Sequence, residues 1–175
     1  MPGCFSIVPR TARDARGSFV KTVHASTFSR AGLSCDFREQ YFSVSAGGVL
    51  RGMHFQLPPF DHDKVVFCQT GRALDVILDL RAGSPWFGRT LSLTLEGDRA
   101  SGVYVPRGCA HGFLSLVDGT ILLYNVTSEH SPDHDSGVLW SSIPFSWPIE
   151  KPTVSGRDSA FPALHDFQSP FVFGK

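Results

Sequence analysis

Residues 47–56, which read GGVLRGMHFQ, contain two side chains that could act together on a small anionic substrate. Arg51 and His54 are close in sequence, and a kink at the intervening glycine would bring them to nearly the same face of a strand. An imidazole is suited to proton abstraction near neutral pH, and a guanidinium is suited to binding phosphate. We therefore predict that His54 and Arg51 share a cavity. The alternative for His54 taken alone is a core position in a barrel strand.

A second histidine lies in residues 106–113, PRGCAHGF, on a predicted strand entered through a Pro-x-Gly turn. Together the two stretches resemble the two-motif layout of cupins. In metal-binding cupins the early motif supplies His-x-His and a following Glu, whereas here Gln56 follows His54 without such a Glu. Because His54 and His111 alone are too few ligands for a transition-metal site, we predict no metal and no cofactor.

Four further side chains complete a set suited to proton transfer next to a ketone: Lys64, Asp75, Tyr124 and Asp158. An imidazole held by a carboxylate can abstract a proton α to a carbonyl, an ammonium can stabilise the enolate, and a phenol opposite can return the proton. That combination describes an epimerase. Taken singly, Lys64 could be a solvated strand end, Asp158 a turn cap and Tyr124 a core residue.

The elements that position these residues are predicted to be short strands. With 17 glycines, 12 prolines and 15 phenylalanines, the chain shows little helical periodicity, and turn residues separate its β-rich runs. The runs are residues 5–8, 18–23, 37–46, 49–55, 64–69, 73–80, 90–95, 103–105, 112–116 and 120–127. One short helix is predicted at 25–32, capped by Ser26 and ended by Gly32, and the tail from Asp133 should wrap the barrel. This pattern is typical of an all-β antiparallel sandwich or barrel.

Length and charge limit the classes of function. A chain of 175 residues and 19.1 kDa with 42% hydrophobic residues is expected to form a single domain, residues 1–175. Sixteen basic and sixteen acidic residues balance, which argues against nucleic-acid or membrane-surface binding. We see no leader and no apolar run near the ~20 residues of a membrane span. The four cysteines are scattered, so we expect reduced thiols in the cytoplasm.

Read together, the motifs resemble the nucleotide-sugar 3,5-epimerase family. The motifs are VLRGMHFQ, the spaced Lys64, DVILDLRAGSPWFG, VPRGCAHGF, LYNVT and SGRDSAFP, in a match from about residue 14 to residue 164. The resemblance implies a cupin-type antiparallel jelly-roll barrel with a few short helices and an irregular C-terminal tail. It also implies a metal-free homodimer with N-terminal strands exchanged or packed between subunits.

The resemblance also implies a role for each site residue. His54, paired with Asp158, would take the C3 or C5 proton of a nucleotide-diphosphate 4-keto-6-deoxy sugar, Lys64 would stabilise the enolate at O4, and Tyr124 would be the acid. His111 and Asp75 would form a second His–carboxylate pair, and Arg51 would bind the diphosphate. Arg16 and Phe19 would reach the nucleotide in the partner subunit's site. The other substrate-binding residues that we predict are Gln56, Arg157, Glu39, Tyr41 and His130.

Four positions depart from the family pattern. Lys21 stands where a glutamate is common, Glu39 and Tyr41 replace Gln-x-Asn, and His130 replaces a second tyrosine. By resemblance they line the nucleotide and sugar pocket. They suggest that the nucleotide is GDP or CDP rather than dTDP, and that C3 alone or C5 alone could be inverted.

Three alternatives to a 3,5-epimerase differ in the residues they need. A 3,4-ketoisomerase of similar fold would use comparable His and Tyr groups, but VLRGMHFQ and SGRD favour the epimerase branch. A non-catalytic sugar-nucleotide-binding cupin should lack His54, Asp158 or Tyr124, and all three are present. A metal-dependent cupin oxygenase is disfavoured by Gln56 and the missing glutamate.

Overall fold

The computed structural model describes residues 1–174 and is mostly β. In chain order the strands are β1 (Phe5–Ile7), β2 (Thr11–Asp14), β3 (Gly17–Val20), β4 (Glu39–Ser45), β5 (Leu50–Gln56), β6 (Lys64–Thr70), β7 (Arg72–Asp79), β8 (Thr90–Glu96), β9 (Gly102–Val105), β10 (Cys109–Ser115), β11 (Thr120–Val126) and β12 (Asp135–Gly137). The helices are α1 (Ala25–Arg30) and α2 (Gly156–Ser159), with 3-10 turns at Gly97–Arg99, Trp140–Ser142 and Leu164–Asp166.

Two five-stranded antiparallel sheets form the barrel. The first sheet has the order β1-β9-β6-β11-β4, and the second has the order β12-β5-β10-β7-β8. Strands β2 and β3 form a separate hairpin. The predicted all-β jelly roll is thus confirmed, and each of its two walls contributes chemistry-bearing side chains to the space between them.

Hydrophobic residues of both sheets meet between the walls. Val66 and Cys68 of β6 pack with Ile77 of β7 and Phe113 of β10 in one buried cluster. The alternate residues of β6, Val65 and Phe67, face the other way and pack under Phe28 of α1. Strand β6 is therefore buried on both faces, which explains why its residues 65–68, VVFC, are a continuous apolar run.

The C-terminal tail covers the outer face of the second sheet, as predicted. Val138, Ile143 and Phe171 pack against Met53 and Phe55 of β5 in a second buried cluster. Each fully buried side chain of this size contributes ~1.5–3 kcal/mol by leaving water. The tail also supplies β12, an edge strand that we did not predict, which pairs with β5.

Local structure differs from our predictions near the N-terminus. Helix α1 has His24 rather than Ser26 as its N-cap, and no side chain caps it; the Ser26 hydroxyl instead lies 3.0 Å from Nδ1 of His24. Gly32, with φ of +70°, follows the helix end as predicted. Residues 11–14 are a strand where we predicted none, because the turn at Asp14 folds them back onto β3.

A close approach of two glycines shapes the centre of the second sheet. A Cβ on Gly52, whose φ is +144°, would lie 2.5 Å from Cα of Gly112. The pairing of β5 with β10 shifts register just there, between His111 and Phe113. This irregularity is the kink that the sequence predicted, and it lets Arg51 and His54 line the same cavity.

No helix within residues 1–174 has the length and apolar character needed to cross a membrane.

Candidate active site

A cavity of about 330 Å³ lies between the two sheets. The predicted site residues that line it are Glu39, Tyr41, Arg51, His54, Gln56, Lys64, His111, Tyr124, His130 and Arg157. Asp158 and Asp75 lie behind the wall, each in contact with one of the two central histidines. The volume is in the range of cavities that hold small ligands.

His54 and Asp158 form a close pair. Nε2 of His54 lies 2.8 Å from Oδ2 of Asp158, and the same oxygen accepts the backbone N–H of Gly52 at 3.0 Å. Asp158 sits in the first turn of α2, where Ser155 caps the helix by accepting the N–H of Asp158. The carboxylate is thus fixed by its own helix start and by the strand that carries His54.

The charges around this pair determine which nitrogen of His54 carries the proton. Burial raises the pKa of Asp158, but the hydrogen bonds from His54, Gly52 and Arg157 outweigh it and hold that pKa well below its usual range. Asp158 is therefore an anion that accepts the Nε2–H of His54, and Nδ1 is left with a lone pair. Burial lowers the pKa of His54 despite the opposing effect of Asp158, so the ring is neutral at physiological pH.

Arg157 links the His54–Asp158 pair to a further carboxylate, that of Asp135. Arg157 donates from Nε to Oδ1 of Asp158 at 3.1 Å and from Nη1 to Oδ2 of Asp135 at 2.5 Å. Its Nη2 lies 2.9 Å from Nε2 of His54. Oδ2 of Asp135 also lies 3.4 Å from Nε2 of His130. Our sequence analysis missed Asp135, because only the pairing of β12 with β5 places it beside the other residues.

Lys64 enters the cavity from the opposite sheet. It is buried, and its Nζ donates to the backbone carbonyl of His54 at 3.3 Å. Burial lowers the pKa of Lys64 to about 8, although the negative charge of Asp135 opposes the shift. The ammonium is therefore charged at neutral pH, and a small rise in pH removes its proton.

His111 and Asp75 form a second pair on the same sheet as His54. Nε2 of His111 lies 2.7 Å from Oδ2 of Asp75, and both side chains are buried. Oδ1 of Asp75 has no hydrogen-bond partner within residues 1–174. Because His111 is directly opposite His54 in the β5–β10 register, the two imidazoles form one wall of the cavity.

The other wall carries two tyrosines. Tyr124 of β11 pairs with Tyr41 of β4, and their rings stack with centroids 4.8 Å apart and planes at 14°. Tyr124 also meets the His111 ring edge-on at 6.1 Å. Burial raises the pKa of both phenols, that of Tyr41 to about 12, so both hydroxyls keep their protons at neutral pH.

Arg51 spans the gap between the sheets. It donates from Nε to the Ser45 hydroxyl at 3.1 Å and from Nη2 to the Val44 carbonyl at 3.2 Å, both on β4. These contacts hold the guanidinium at the cavity edge. It is exposed there and can meet an anionic group.

Glu39 and Gln56 fix the loop that carries His130. Oε2 of Glu39 accepts the backbone N–H of His130 at 2.6 Å, and Oε1 of Gln56 accepts that of Ser131 at 2.6 Å. The amide of Gln56 also donates to the Phe60 carbonyl at 2.9 Å. Both residues thus shape the cavity by positioning backbone.

Arg16 and Phe19 do not join the cavity within one chain. Both lie on the β2–β3 hairpin, where Arg16 pairs with Asp14 and Phe19 is 67% exposed. No group of three or more His, Cys, Asp or Glu side chains converges in the part of the chain that the structure describes.

Comparison with known proteins identifies the family of the chain. Residues 1–166 match the model of the family described as dTDP-4-dehydrorhamnose 3,5-epimerase. The chain is 38% identical over 176 residues to the dTDP-4-dehydrorhamnose 3,5-epimerase of Mycobacterium tuberculosis, covering 97% of this chain and 87% of the relative.

Two solved structures are also similar. The Bacillus anthracis dTDP-4-dehydrorhamnose 3,5-epimerase with TDP and PPi bound has a TM-score of 0.89 and 36% identity, covering 92% of this chain and 94% of that one. A 3′-monoepimerase from Streptomyces bikiniensis in complex with dTDP-quinovose has a TM-score of 0.88 and 32% identity, covering 93% of this chain and 84% of that one. The predictions of an isomerase and of a cupin jelly roll are thereby confirmed. The chain belongs to the dTDP-4-dehydrorhamnose 3,5-epimerase family and is a nucleotide-sugar epimerase.

Proposed function

We propose that the protein inverts C3 and C5 of a dTDP-linked 4-keto-6-deoxy sugar, with His54 as the base and Tyr124 as the acid. The observation that carries the proposal is the placement of these groups on opposite walls: His54 on β5 of the second sheet, and Tyr124 on β11 of the first. A sugar ring held between the walls presents one face to each. A base on one face and an acid on the other are what inversion at carbon requires.

The reaction follows from the protonation states. C3 and C5 both adjoin the C4 ketone, so the lone pair on Nδ1 of His54 can accept a proton from either carbon and leave an enolate at O4. The Lys64 ammonium stabilises that oxyanion. The Tyr124 hydroxyl then donates its proton to the opposite face of the same carbon, and exchange with water restores both groups.

The nucleotide we propose is dTDP. The family description and the names of the compared structures all refer to dTDP sugars or to TDP. Glu39, one of the four departures that suggested GDP or CDP, uses one carboxylate oxygen to hold the His130 backbone. GDP and CDP remain the competing nucleotides, and binding assays with all three diphosphates distinguish them.

Inversion of one carbon only is the second candidate. Tyr41 stacks on the proposed acid, and a ring held in that stack limits how Tyr124 can move as the sugar turns to present its second carbon. The similar Streptomyces bikiniensis protein is described as a 3′-monoepimerase. The two candidates share the same base and acid.

Hydrogen exchange in deuterated water tests the proposal directly. We would follow 4-keto-6-deoxy sugars on dTDP, GDP and CDP by NMR with the purified protein. Deuterium at both C3 and C5 of the dTDP sugar, with inverted configuration at both carbons in the same spectra, is expected. Deuterium at one carbon would make the protein a mono-epimerase, and labelling of the GDP or CDP sugar instead would exclude dTDP as the preferred nucleotide. No exchange with any of them would refute the proposal.

The pH dependence of kcat/KM should have a wide plateau. Because the pKa of His54 is lowered, the base stays active below its ordinary pKa of ~6.5, and the acid limb should begin only under that pH. Because Lys64 must be charged to stabilise the enolate, activity should fall above about pH 8. Measurement from pH 5 to 10 with one substrate checks both limbs, and unchanged activity at pH 9.5 would contradict the role of Lys64.

We further propose a cytoplasmic homodimer in which the β2–β3 hairpin reaches the partner's cavity. The exposed Phe19 on that hairpin and the exposed Phe42 and Val44 on edge strand β4 support the dimer. The four free cysteines support the reducing cytoplasm. Light scattering should give twice the chain mass of 19.1 kDa. A monomer at micromolar concentration would oppose this arrangement.

A further inference from the structure

Asp135 lies in the network around the proposed base without touching His54. Strand β12 pairs with β5 so that Asp135 is opposite Gln56 and Gly137 is opposite His54. The carboxylate of Asp135 thereby lines the cavity beside the strand that carries the base. Its position is fixed by backbone pairing, so it can serve as an anchor for a longer side chain.

Arg157 is the side chain that Asp135 anchors. One edge of the guanidinium, Nε and Nη2, faces Asp158 and His54, and the remaining nitrogen, Nη1, donates to Asp135. The side chain is 54% exposed and would otherwise have considerable rotational freedom. Carboxylates on two sides of the planar guanidinium fix both its position and its orientation.

The position of Arg157 matters because two N–H donors face each other, one on Nε2 of His54 and one on Nη2 of Arg157. Nε2 of His54 gives its proton to Asp158 at 2.8 Å, while Nη2 of Arg157 approaches the same atom at 2.9 Å. A guanidinium that moved closer could take over the Asp158 oxygen and displace the imidazole. Asp135 draws Nη1 in the other direction and keeps Arg157 from doing so.

We propose that Asp135 is a positioning residue for the His54–Asp158 pair and acts through Arg157. The inference rests on the proposed function, since it assigns His54 as the base. Asp135 contacts neither base nor acid directly, so its effect on the His54–Asp158 pair should pass through Arg157. That dependence makes the idea testable by a double-mutant cycle. Because the charge of Asp135 also raises the pKa of Lys64, the rates are compared at about pH 6.5, below the value of about 8 at which Lys64 loses its proton.

The cycle compares Asp135→Asn, Arg157→Ala and the double variant, with Asp133→Asn as the matched control. Asp133 is exposed and two residues away. Asp135→Asn should lower kcat about tenfold to a hundredfold, the scale for small misplacements of a catalytic group, while KM changes less than about twofold. The double variant should be no slower than Arg157→Ala. Losses that multiply, or an unchanged kcat in Asp135→Asn, would overturn the proposal.

A second readout needs no substrate. In ¹⁵N-resolved NMR, the Arg157 Nε–H should exchange slowly with water in the wild type and faster in Asp135→Asn, but not in Asp133→Asn. Equal exchange in all three proteins would refute the anchoring role. A failure of the sugar-exchange assay together with altered Nε–H exchange would instead refute the proposed function and leave the anchor intact.

Discussion

Replacement of His54 by alanine should reduce epimerisation by ~10²–10⁴-fold or more, the contribution of a positioned general base. The imidazole lines the cavity, and Asp158 holds its Nε2, which leaves Nδ1 to accept a proton. Alanine leaves Asp158 and Lys64 in place but provides nothing to accept the carbon-bound proton. Both the rate of deuterium exchange and the net inversion should therefore fall together, measured by NMR under single-turnover conditions.

Two variants separate this loss from nonspecific damage. His165→Ala removes an exposed histidine outside the cavity and should leave the rate unchanged. Tyr124→Phe should reduce inversion more than exchange, because His54 can still remove a proton and return it to the same face. Near-native turnover in His54→Ala would remove the mechanism argued for this site. Equal loss of exchange and inversion in Tyr124→Phe would show that Tyr124 is not the acid.

Local sequence patterns were sufficient to predict the strands that form the two walls of the cavity. The continuous apolar run of β6 and the Gly-bounded stretches around His54 and His111 are short-range signals, and the structure places all three around one cavity. The pairing of His54 with Asp158 was predicted from family resemblance, and the structure brings these two residues within hydrogen-bond distance.

Long-range pairing was not accessible from the same patterns. The three polar residues Asp133, His134 and Asp135 follow one another in an irregular tail, and nothing local shows that β12 pairs with β5 and brings only Asp135 into the cavity. The positions of Arg16 and Phe19 depend on where a hairpin packs, which a single chain leaves open. The Ser26 cap was wrong because a hydroxyl at that position already lies inside the first turn of α1.

The Asp158→Asn variant should lose activity on a similar scale, ~10²–10⁴-fold, although it changes only one heavy atom. Three donors converge on the carboxylate: Nε2–H of His54 and N–H of Gly52 on Oδ2, and Nε–H of Arg157 on Oδ1. An amide has one acceptor oxygen and one donor NH₂, so in either orientation a donor faces a donor. The neutral amide also removes the charge that raises the pKa of His54, which leaves a weaker base.

The same substitution should destabilise the fold in a pH-dependent way. The pKa of Asp158 is lower in the folded than in the unfolded chain, so its contribution to stability is fully present above the unfolded value of ~4 and is lost as pH falls through the folded value. Urea unfolding should show a loss of ~1–3 kcal/mol at pH 7 that shrinks in acid, with Asp166→Asn as the exposed control. A loss independent of pH would mean that the side chain matters for its shape, and full activity at pH 7 would mean that His54 needs no carboxylate to act as the base.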